Sequence, residues 1–135
     1  MDIRVEKALK LHGSGYNCAQ SIVCAFAEDF GADVETSFRL SEGFGGGIGD
    51  MKDMCGALSG AVMVAGLISA TGTNNLKTKG STYRAVKEMK KKFADKVGAI
   101  SCKEIKGIET GQVLRSCSGC VEDGAKLVIE YLESI

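Results

Sequence analysis

The sequence predicts an all-α fold: a single-domain bundle of about five to seven helices around a central helix rich in small residues. Three observations predict this class. The 135-residue chain contains no proline, the apolar–polar alternation of strands is rare, and several stretches repeat apolar residues at helical spacing. No linker is visible, so we expect one domain over residues 1–135. A domain of this length buries roughly two thirds of its unfolded surface and does not need disulfides to fold.

Two helices are predicted in the first thirty residues. The first covers residues 2–12 and ends at Gly13 and Gly15. The second begins at Asn17, and Gln20 follows at the spacing of a capping box. Apolar residues recur along it at i, i+3, i+4 spacing: Ala19, Ile22, Val23, Phe26, Ala27 and Phe30.

A third, shorter helix is predicted from about Val34 to Glu42, after Gly31 ends the second. The glycine-rich stretch 43–49, GFGGGIG, is then expected to break all regular structure. It lacks the third glycine of a dinucleotide-binding fingerprint, and no Gly-Lys-Ser/Thr follows it, which excludes a P-loop. Two interpretations remain open: a flexible turn that allows positive φ, or a loop whose bare backbone lies against a cysteine site.

The fourth helix is the predicted centre of the bundle, capped by Asp53 and running to about Thr71. It lies in an uncharged run, 54–76, that is long enough to span a bilayer. Glycine and serine dilute this run, and it ends in the polar TGTNN, so a helix buried among other helices is the better interpretation. Its small face, which suits close helix packing or a homodimer contact, consists of Gly56, Ala57, Gly60 and Ala61.

Three helices are predicted in the second half of the chain. The fifth ends at Gly98, and Ser101 with Glu104 forms a capping box for a short sixth. After a loop, CSGC (117–120) opens the last helix, which carries Val121, Ala125, Leu127, Val128 and Leu132. The fifth helix turns Val86, Met89, Phe93 and Val97 inward, and its solvated face carries Lys87, Lys90, Lys91, Lys92 and Lys96.

The composition argues against several classes of partner. Seventeen basic side chains balance 17 acidic ones, Trp is absent, and aromatic residues make up 6% of the chain. A nucleic-acid or acidic-membrane surface usually needs an excess of Lys and Arg, so neither is expected.

The N-terminus lacks the apolar region of a signal peptide, which predicts a cytoplasmic location. Because thiols are kept reduced there, the six cysteines are interpreted as ligands or redox groups.

Four cysteines are predicted in the first turn of four different helices: Cys18, Cys55, Cys102 and Cys120. The first turn exposes N–H groups that have no acceptor within the helix, and the helix dipole adds a partial positive charge. Both favour a thiolate over a thiol and can lower its pKa to roughly 3.5–7.5. Since a thiolate is the form that attacks disulfides and binds metals, these four cysteines are the candidate site.

The remaining candidates carry weaker signals. Cys24 lies in the middle of the second helix and is expected to serve packing only. Cys117 forms a C-x-x-C with Cys120, which suits a thioredoxin-like couple or half of a zinc site, but a second C-x-x-C is missing. His12, the only histidine, is expected to be solvated.

Four segments of the chain resemble the C-GCAxxG-C-C family, to which a redox role is assigned. They are GYNCAQSIVCAF (15–26), GFGGGIG followed by CGALSG (55–60), SCKEIKG (101–107) and CVEDGAKLVIEYL (120–132). The resemblance covers nearly the whole chain in the expected order. It implies that the fixed cysteines of the family are Cys18, Cys55, Cys102 and Cys120, and that Cys24 and Cys117 are additional.

The leading functional hypothesis is a redox protein whose four cysteines converge in one pocket, acting in electron transfer or thiol–disulfide exchange. In one version the four thiolates hold an iron–sulfur cluster, most simply 2Fe–2S. Backbone N–H groups would then face its sulfurs from Gly45, Gly46, Gly47 and Gly56. In the other version cysteine pairs cycle between dithiol and disulfide, with an electron donor, acceptor or thiol protein as partner. The alternative is a structural zinc site or a helical scaffold without redox turnover.

Overall fold

Seven helices make up the regular structure of the chain, which a computed structural model describes over residues 1–135. They are α1 (Ile3–Gly13), α2 (Cys18–Phe26), α3 (Val34–Ser41), α4 (Gly56–Ser69), α5 (Lys79–Val97), α6 (Cys102–Lys106) and α7 (Cys117–Ser134). Two 3₁₀ turns (Glu28–Phe30 and Glu42–Phe44) and one π-turn (Gly47–Met51) join them. No strand is present, so the predicted all-α class is confirmed.

The helix ends follow local chemistry that the sequence displays. The Asn17 side chain accepts a hydrogen bond from the N–H of Gln20, whose own side chain accepts one from the N–H of Asn17, which confirms the capping box. Helix α5 ends at Gly98, whose φ of 104° lies in the left-handed region that favours glycine. Ser101 caps α6 by accepting from the N–H of Glu104. These signals are local in sequence, which is why they could be predicted.

Helix α4 is central and packs against α2, α5 and α7. Its first ten residues are almost entirely buried, although most of them have small side chains. A Cβ at Gly60 would come within 2.9 Å of the Ile22 Cβ on α2, and one at Gly124 of α7 within 2.7 Å of the Ala57 carbonyl oxygen. The small face therefore serves close packing of α4 within the chain, against α2 on one side and α7 on the other.

The apolar core lies between these helices and contains many residues that helical periodicity predicts, together with Leu58 of α4, which it did not single out. Phe26, Phe93, Leu58 and Val128 are at most 1% exposed. Burying a side chain of this size stabilises the fold by about 1.5–3 kcal/mol relative to leaving it in water. Cys24 is also buried, with its sulfur 3.9 Å from the carbonyl oxygen of Val34, so it fills space between α2 and α3.

The start of α4 differs from the prediction. Its N-cap is Cys55 and not Asp53, and the helix ends at Ser69 instead of Thr71. The reason is a backbone bridge between Met54 and Ser101. The N–H of Cys55 donates to the carbonyl of Ile100, and the N–H of Cys102 donates to that of Asp53, both at 2.8 Å. Residues 53–55 are held extended by these bonds, so the helix begins only after them.

The glycine-rich stretch also differs in part from the prediction. It does break the α-helical structure, but it retains the 3₁₀ turn and the π-turn instead of losing all regular structure. Ile48, with φ 59° and ψ 51°, is a β-branched residue in the left-handed region, which costs roughly 1–2 kcal/mol.

None of the seven helices combines the length and the apolar character that a transmembrane span requires.

Candidate functional site

One cavity of about 220 Å³ brings together five of the six cysteines. We call it the thiol cavity; its cysteines are Cys18, Cys55, Cys102, Cys117 and Cys120. A larger groove of about 520 Å³ between α5 and α7 is lined mostly by charged side chains and contains no cysteine. The thiol cavity therefore holds the reactive groups, and all four cysteines of the sequence-predicted site lie on its wall. Their catalytic or metal-binding role stays a prediction.

Each of these cysteines lies at or near the start of a helix. Three occupy the first helical position directly after a side-chain cap: Cys18 after Asn17, Cys102 after Ser101, and Cys117 after Ser116. Cys55 is itself the N-cap of α4, and Cys120 lies at the end of the first turn of α7. The cavity is thus enclosed by the N-terminal ends of four helices that are distant in sequence.

The backbone bridge next to Met54 explains how Cys55 and Cys102 come together. Because each of these cysteines donates its N–H to a carbonyl on the other segment, the starts of α4 and α6 are held side by side. The loop after α6 is tied back as well, since the N–H of Leu114 donates to the carbonyl of Ile105 at 2.8 Å. This bond directs the chain back past the cavity before α7 begins.

The glycine loop forms one wall of the cavity, as the second interpretation of GFGGGIG proposed. Gly46, Gly47 and Gly56 line it, whereas Gly45 packs against the Asn17 side chain and does not. Gly47 has φ +60°, and a Cβ there would lie 2.5 Å from the Cys102 Cβ. A side chain at this position would therefore collide with Cys102, and only bare backbone fits against the thiol.

Cys55 and Cys120 form a buried thiol pair on the cavity wall, with 6% and 1% of their surfaces exposed. The Cys120 thiol, donating toward the Cys55 sulfur, lowers the pKa of Cys55 to about 7. The N–H groups of Ala57 and Leu58 and the charge of Lys106 act in the same direction, against the effect of burial. No regular capping hydrogen bond forms from the Cys55 side chain, so these N–H contacts are a secondary contribution. The same contact, together with burial, raises the pKa of Cys120.

The other cysteines do not follow the prediction that a helix start lowers the thiol pKa. Burial raises the pKa of Cys18 to about 12, and nearby Cys55 and Cys117 add to that rise. Burial also raises the pKa of Cys102, although Lys106 opposes it. The dipole of a helix is weak compared with the loss of water around a charged sulfur. The pKa of Cys55 is lowered as predicted, but chiefly by Cys120 and only secondarily by the helix start. For Cys18, Cys102 and Cys120 the prediction is wrong.

Several residues of the cavity escaped the sequence analysis. Cys117, set aside as additional, lines the same cavity as Cys18 and Lys106. His12, expected to be solvated, is half-buried at the cavity with its Nε2 atom 3.9 Å from the Cys18 sulfur. Arg115 lines the cavity and forms a two-pronged ion pair with buried Asp123, at 3.0 and 3.2 Å. Only the C-x-x-C spacing of Cys117 carried a sequence signal.

The cavity has the donor atoms of a metal site without the required geometry. No group of three or more His, Cys, Asp or Glu side chains is arranged to hold a metal ion. All six cysteines are free thiols. As these side chains lie, they do not fit a cluster or a zinc ion, and the iron–sulfur and zinc hypotheses for Cys18, Cys55, Cys102 and Cys120 stay predictions. The arrangement does fit chemistry between neighbouring thiols.

The fold and site define an all-α protein with a buried, cysteine-lined cavity at converging helix starts. Residues 16–131 match the family model described as "Putative redox-active protein (C_GCAxxG_C_C)", so the chain belongs to this family, which confirms the resemblance. No curated protein and no solved structure matches the chain.

Proposed function

We propose that this protein is a thiol–disulfide redox protein in which Cys55 and Cys120 are the reactive couple. One observation supports this most strongly: Cys55 and Cys120 are both buried on the wall of the same cavity, where Cys120 lowers the pKa of Cys55 to about 7. A thiol with a pKa near the ambient pH combines a large thiolate fraction with good nucleophilicity, which is the optimum for attack on a disulfide. Membership in a family described as redox-active agrees with this chemistry.

The proposed reaction has two exchanges. The Cys55 thiolate attacks one sulfur of a substrate disulfide, RS–SR, forming a Cys55–SR bond while one RS⁻ leaves. The Cys120 thiol then gives its proton to the leaving RS⁻ and attacks the Cys55 sulfur. This attack expels the second RS⁻, which takes a proton from the solvent. The protein dithiol is oxidised by two electrons to a Cys55–Cys120 disulfide, and RS–SR is reduced to two RSH. The reverse reaction oxidises a dithiol substrate.

Disulfide mapping across a range of redox buffers tests this proposal. The reduced protein is equilibrated with dithiothreitol at different ratios of its reduced and oxidised forms, its free thiols are alkylated, and its peptides are analysed by mass spectrometry. We expect a Cys55–Cys120 disulfide to form in a single two-electron transition. Cys24→Ser is the matched control and should behave as the unchanged chain, since Cys24 lies outside the cavity. Six free thiols at every ratio, or a disulfide that excludes Cys55, would contradict the proposal.

A second candidate is a metal site, and the gathering of five thiols around one cavity favours it. It requires that side chains of Cys18, Cys55, Cys102 and Cys120 rotate toward a common centre, because they do not form such a group as they lie. Anaerobic purification followed by iron, sulfide and zinc analysis tests it. A stoichiometric metal that Cys55→Ser removes and Cys24→Ser retains would support this candidate over the disulfide couple.

A further inference from the structure

The wall of the thiol cavity carries basic side chains and no acidic ones. None of its 13 lining residues is Asp or Glu, whereas Lys106, Arg115 and His12 all contribute to its wall. This contrasts with the chain as a whole, in which 17 acidic residues balance 17 basic ones. Apart from its thiols, the cavity thus carries basic and no acidic side chains on its wall, and such a wall attracts anions.

Lys106 is the cation that is free to bind a ligand. Lys103, one turn earlier on α6, pairs with Glu109 at 2.7 Å, and Arg115 is neutralised by Asp123. Lys106 makes no salt bridge; it lines the cavity, in the field of the Cys117 sulfur. It also lies in the field of Cys18 and Cys102, and these contacts raise its pKa. Lys106 therefore keeps its charge at neutral pH and has no carboxylate partner within the chain.

The size and depth of the cavity limit what can reach Cys55. Its volume of about 220 Å³ equals roughly seven water molecules at ~30 Å³ each. This is below the ~300–1,000 Å³ of pockets that hold drug-sized ligands. Cys55 is 6% exposed and Cys120 1%, so a disulfide on the surface of another folded protein has no access to them. A small molecule that enters the cavity does have access.

We propose that the substrate of the Cys55–Cys120 couple is a low-molecular-weight disulfide that carries a carboxylate or another acidic group, and that Lys106 binds this group. The inference rests on the proposed function and adds the substrate class to it. The acidic group pairs with Lys106 at the mouth of the cavity, which holds the S–S bond toward the Cys55 thiolate. Two RSH molecules leave after the Cys55–Cys120 bond forms, as in the exchange above.

Three disulfides of similar size and different charge test the inference: bis(carboxymethyl) disulfide (anionic), bis(2-hydroxyethyl) disulfide (neutral) and cystamine (cationic). The full chain is mixed with each at low salt, the reaction is stopped with acid, and formation of the Cys55–Cys120 bond is measured by mass spectrometry. We expect the anionic disulfide to react at least about ten times faster than the neutral one, a difference of ~1.4 kcal/mol. The cationic one should be slowest, and 0.5 M salt should reduce all these differences.

Substitutions of Lys106 separate substrate binding from an effect on the thiol itself. Lys106 also lowers the pKa of Cys55, so Lys106→Gln slows every disulfide. The ratio of the anionic to the neutral rate is unaffected by that change, and we expect Lys106→Gln to reduce this ratio about ten-fold. Lys106→Arg should keep the ratio, because it keeps the charge. Lys103→Gln, on the same helix but outside the cavity, is the matched control and should leave the ratio unchanged.

The outcomes distinguish the two proposals. If the neutral disulfide forms the Cys55–Cys120 bond but the charge series shows no preference, or Lys106→Gln leaves the ratio unchanged, the substrate class is wrong and the redox couple stands. If none of the three disulfides forms this bond, the couple and the inference both fail.

Discussion

The cavity contains two pairs of thiols. Both pairs lie near helix starts, but they differ in burial and in thiol pKa. Cys55 and Cys120 are buried, and the contact between them lowers the pKa of Cys55 to about 7. Cys18 and Cys117 are half-buried, and the pKa of Cys18 rises to about 12. Cys18 is in the first turn of its helix after a complete capping box, the better helix start of the two.

The comparison shows that a helix N-terminus does not by itself make a reactive cysteine. Cys55 has a thiol donor and two backbone N–H groups around its sulfur, which stabilise the charged form. At Cys18 burial is the main cause of the raised pKa, and the nearby sulfurs of Cys55 and Cys117 add to it. Burial raises the pKa of both thiols, and only at Cys55 is this effect outweighed, chiefly by the hydrogen bond from Cys120.

The largest expected effect is the loss of Cys55. At pH 7 a thiol of pKa about 7 is half ionised, while one of pKa about 12 is ionised to roughly 1 part in 10⁵. The thiolate of the higher-pKa thiol is the better nucleophile, which partly offsets this difference in rate. We expect Cys55→Ser to slow the reaction with bis(2-hydroxyethyl) disulfide about 300-fold. The rate is measured by stopping the mixed samples with acid at successive times and analysing them by mass spectrometry. Cys18→Ser should stay within about three-fold of the unchanged chain. A larger loss from Cys18→Ser would reverse the assignment of the two pairs.

The next largest effect is expected from pH, which should change the alkylation rate of Cys55. Its thiolate is the reactive form, so its alkylation by iodoacetamide should be fast above the pKa and lost as the pH falls through about 7. Between pH 8 and pH 5 we expect a fall of about a hundred-fold, read for each peptide by mass spectrometry. Cys18 in the same samples is the internal comparison and should remain slow throughout. A Cys55 midpoint at or above 9 would contradict its lowered pKa.

A smaller effect is expected from removing the donor that acts on Cys55. Because the Cys120 thiol is the largest cause of the lowered pKa, Cys120→Ala should move the alkylation midpoint of Cys55 upward. A shift of about one unit corresponds to ~1.4 kcal/mol, close to the lower end of the roughly 1.5–3 kcal/mol for a hydrogen bond to a charged group. Cys120→Ser keeps a donor and should shift the midpoint less. If both variants left the midpoint at its original value, the backbone N–H groups would be its main cause.

The smallest expected effect on reactivity comes from the packing that holds the pair together. Gly124 follows Cys120 by about one turn, and a Cβ there would lie 2.7 Å from the carbonyl oxygen of Ala57, near Cys55. We expect Gly124→Ala to push α7 from α4, to destabilise the fold by about 1–3 kcal/mol in urea unfolding, and to change the Cys55 alkylation rate a few-fold. Gly66→Ala on α4 has open space and should be neutral or stabilising by up to ~1 kcal/mol. Equal destabilisation by both would show that helix contact is not the cause.

Much of the fold could be predicted because its signals are local. The Asn17 capping box, the Ser101 cap and the end of α5 at Gly98 each depend on residues within one helical turn. The start of α4 could not be predicted in this way, since the bridge that keeps residues 53–55 extended pairs them with residues almost fifty positions later. Local propensity favoured Asp53 as the cap, and a long-range backbone pairing overrode it.

By itself, the sequence determined the all-α class, the core-facing residues and the presence of cysteines near helix starts, because helical periodicity and capping act over a few residues. Only the tertiary structure decided that Cys117, His12, Lys106 and Arg115 join the same cavity as the four predicted cysteines. It also decided which thiol is favoured as a thiolate. Burial and the direction of each hydrogen bond set the pKa of a thiol, and both depend on neighbours that come from distant parts of the chain.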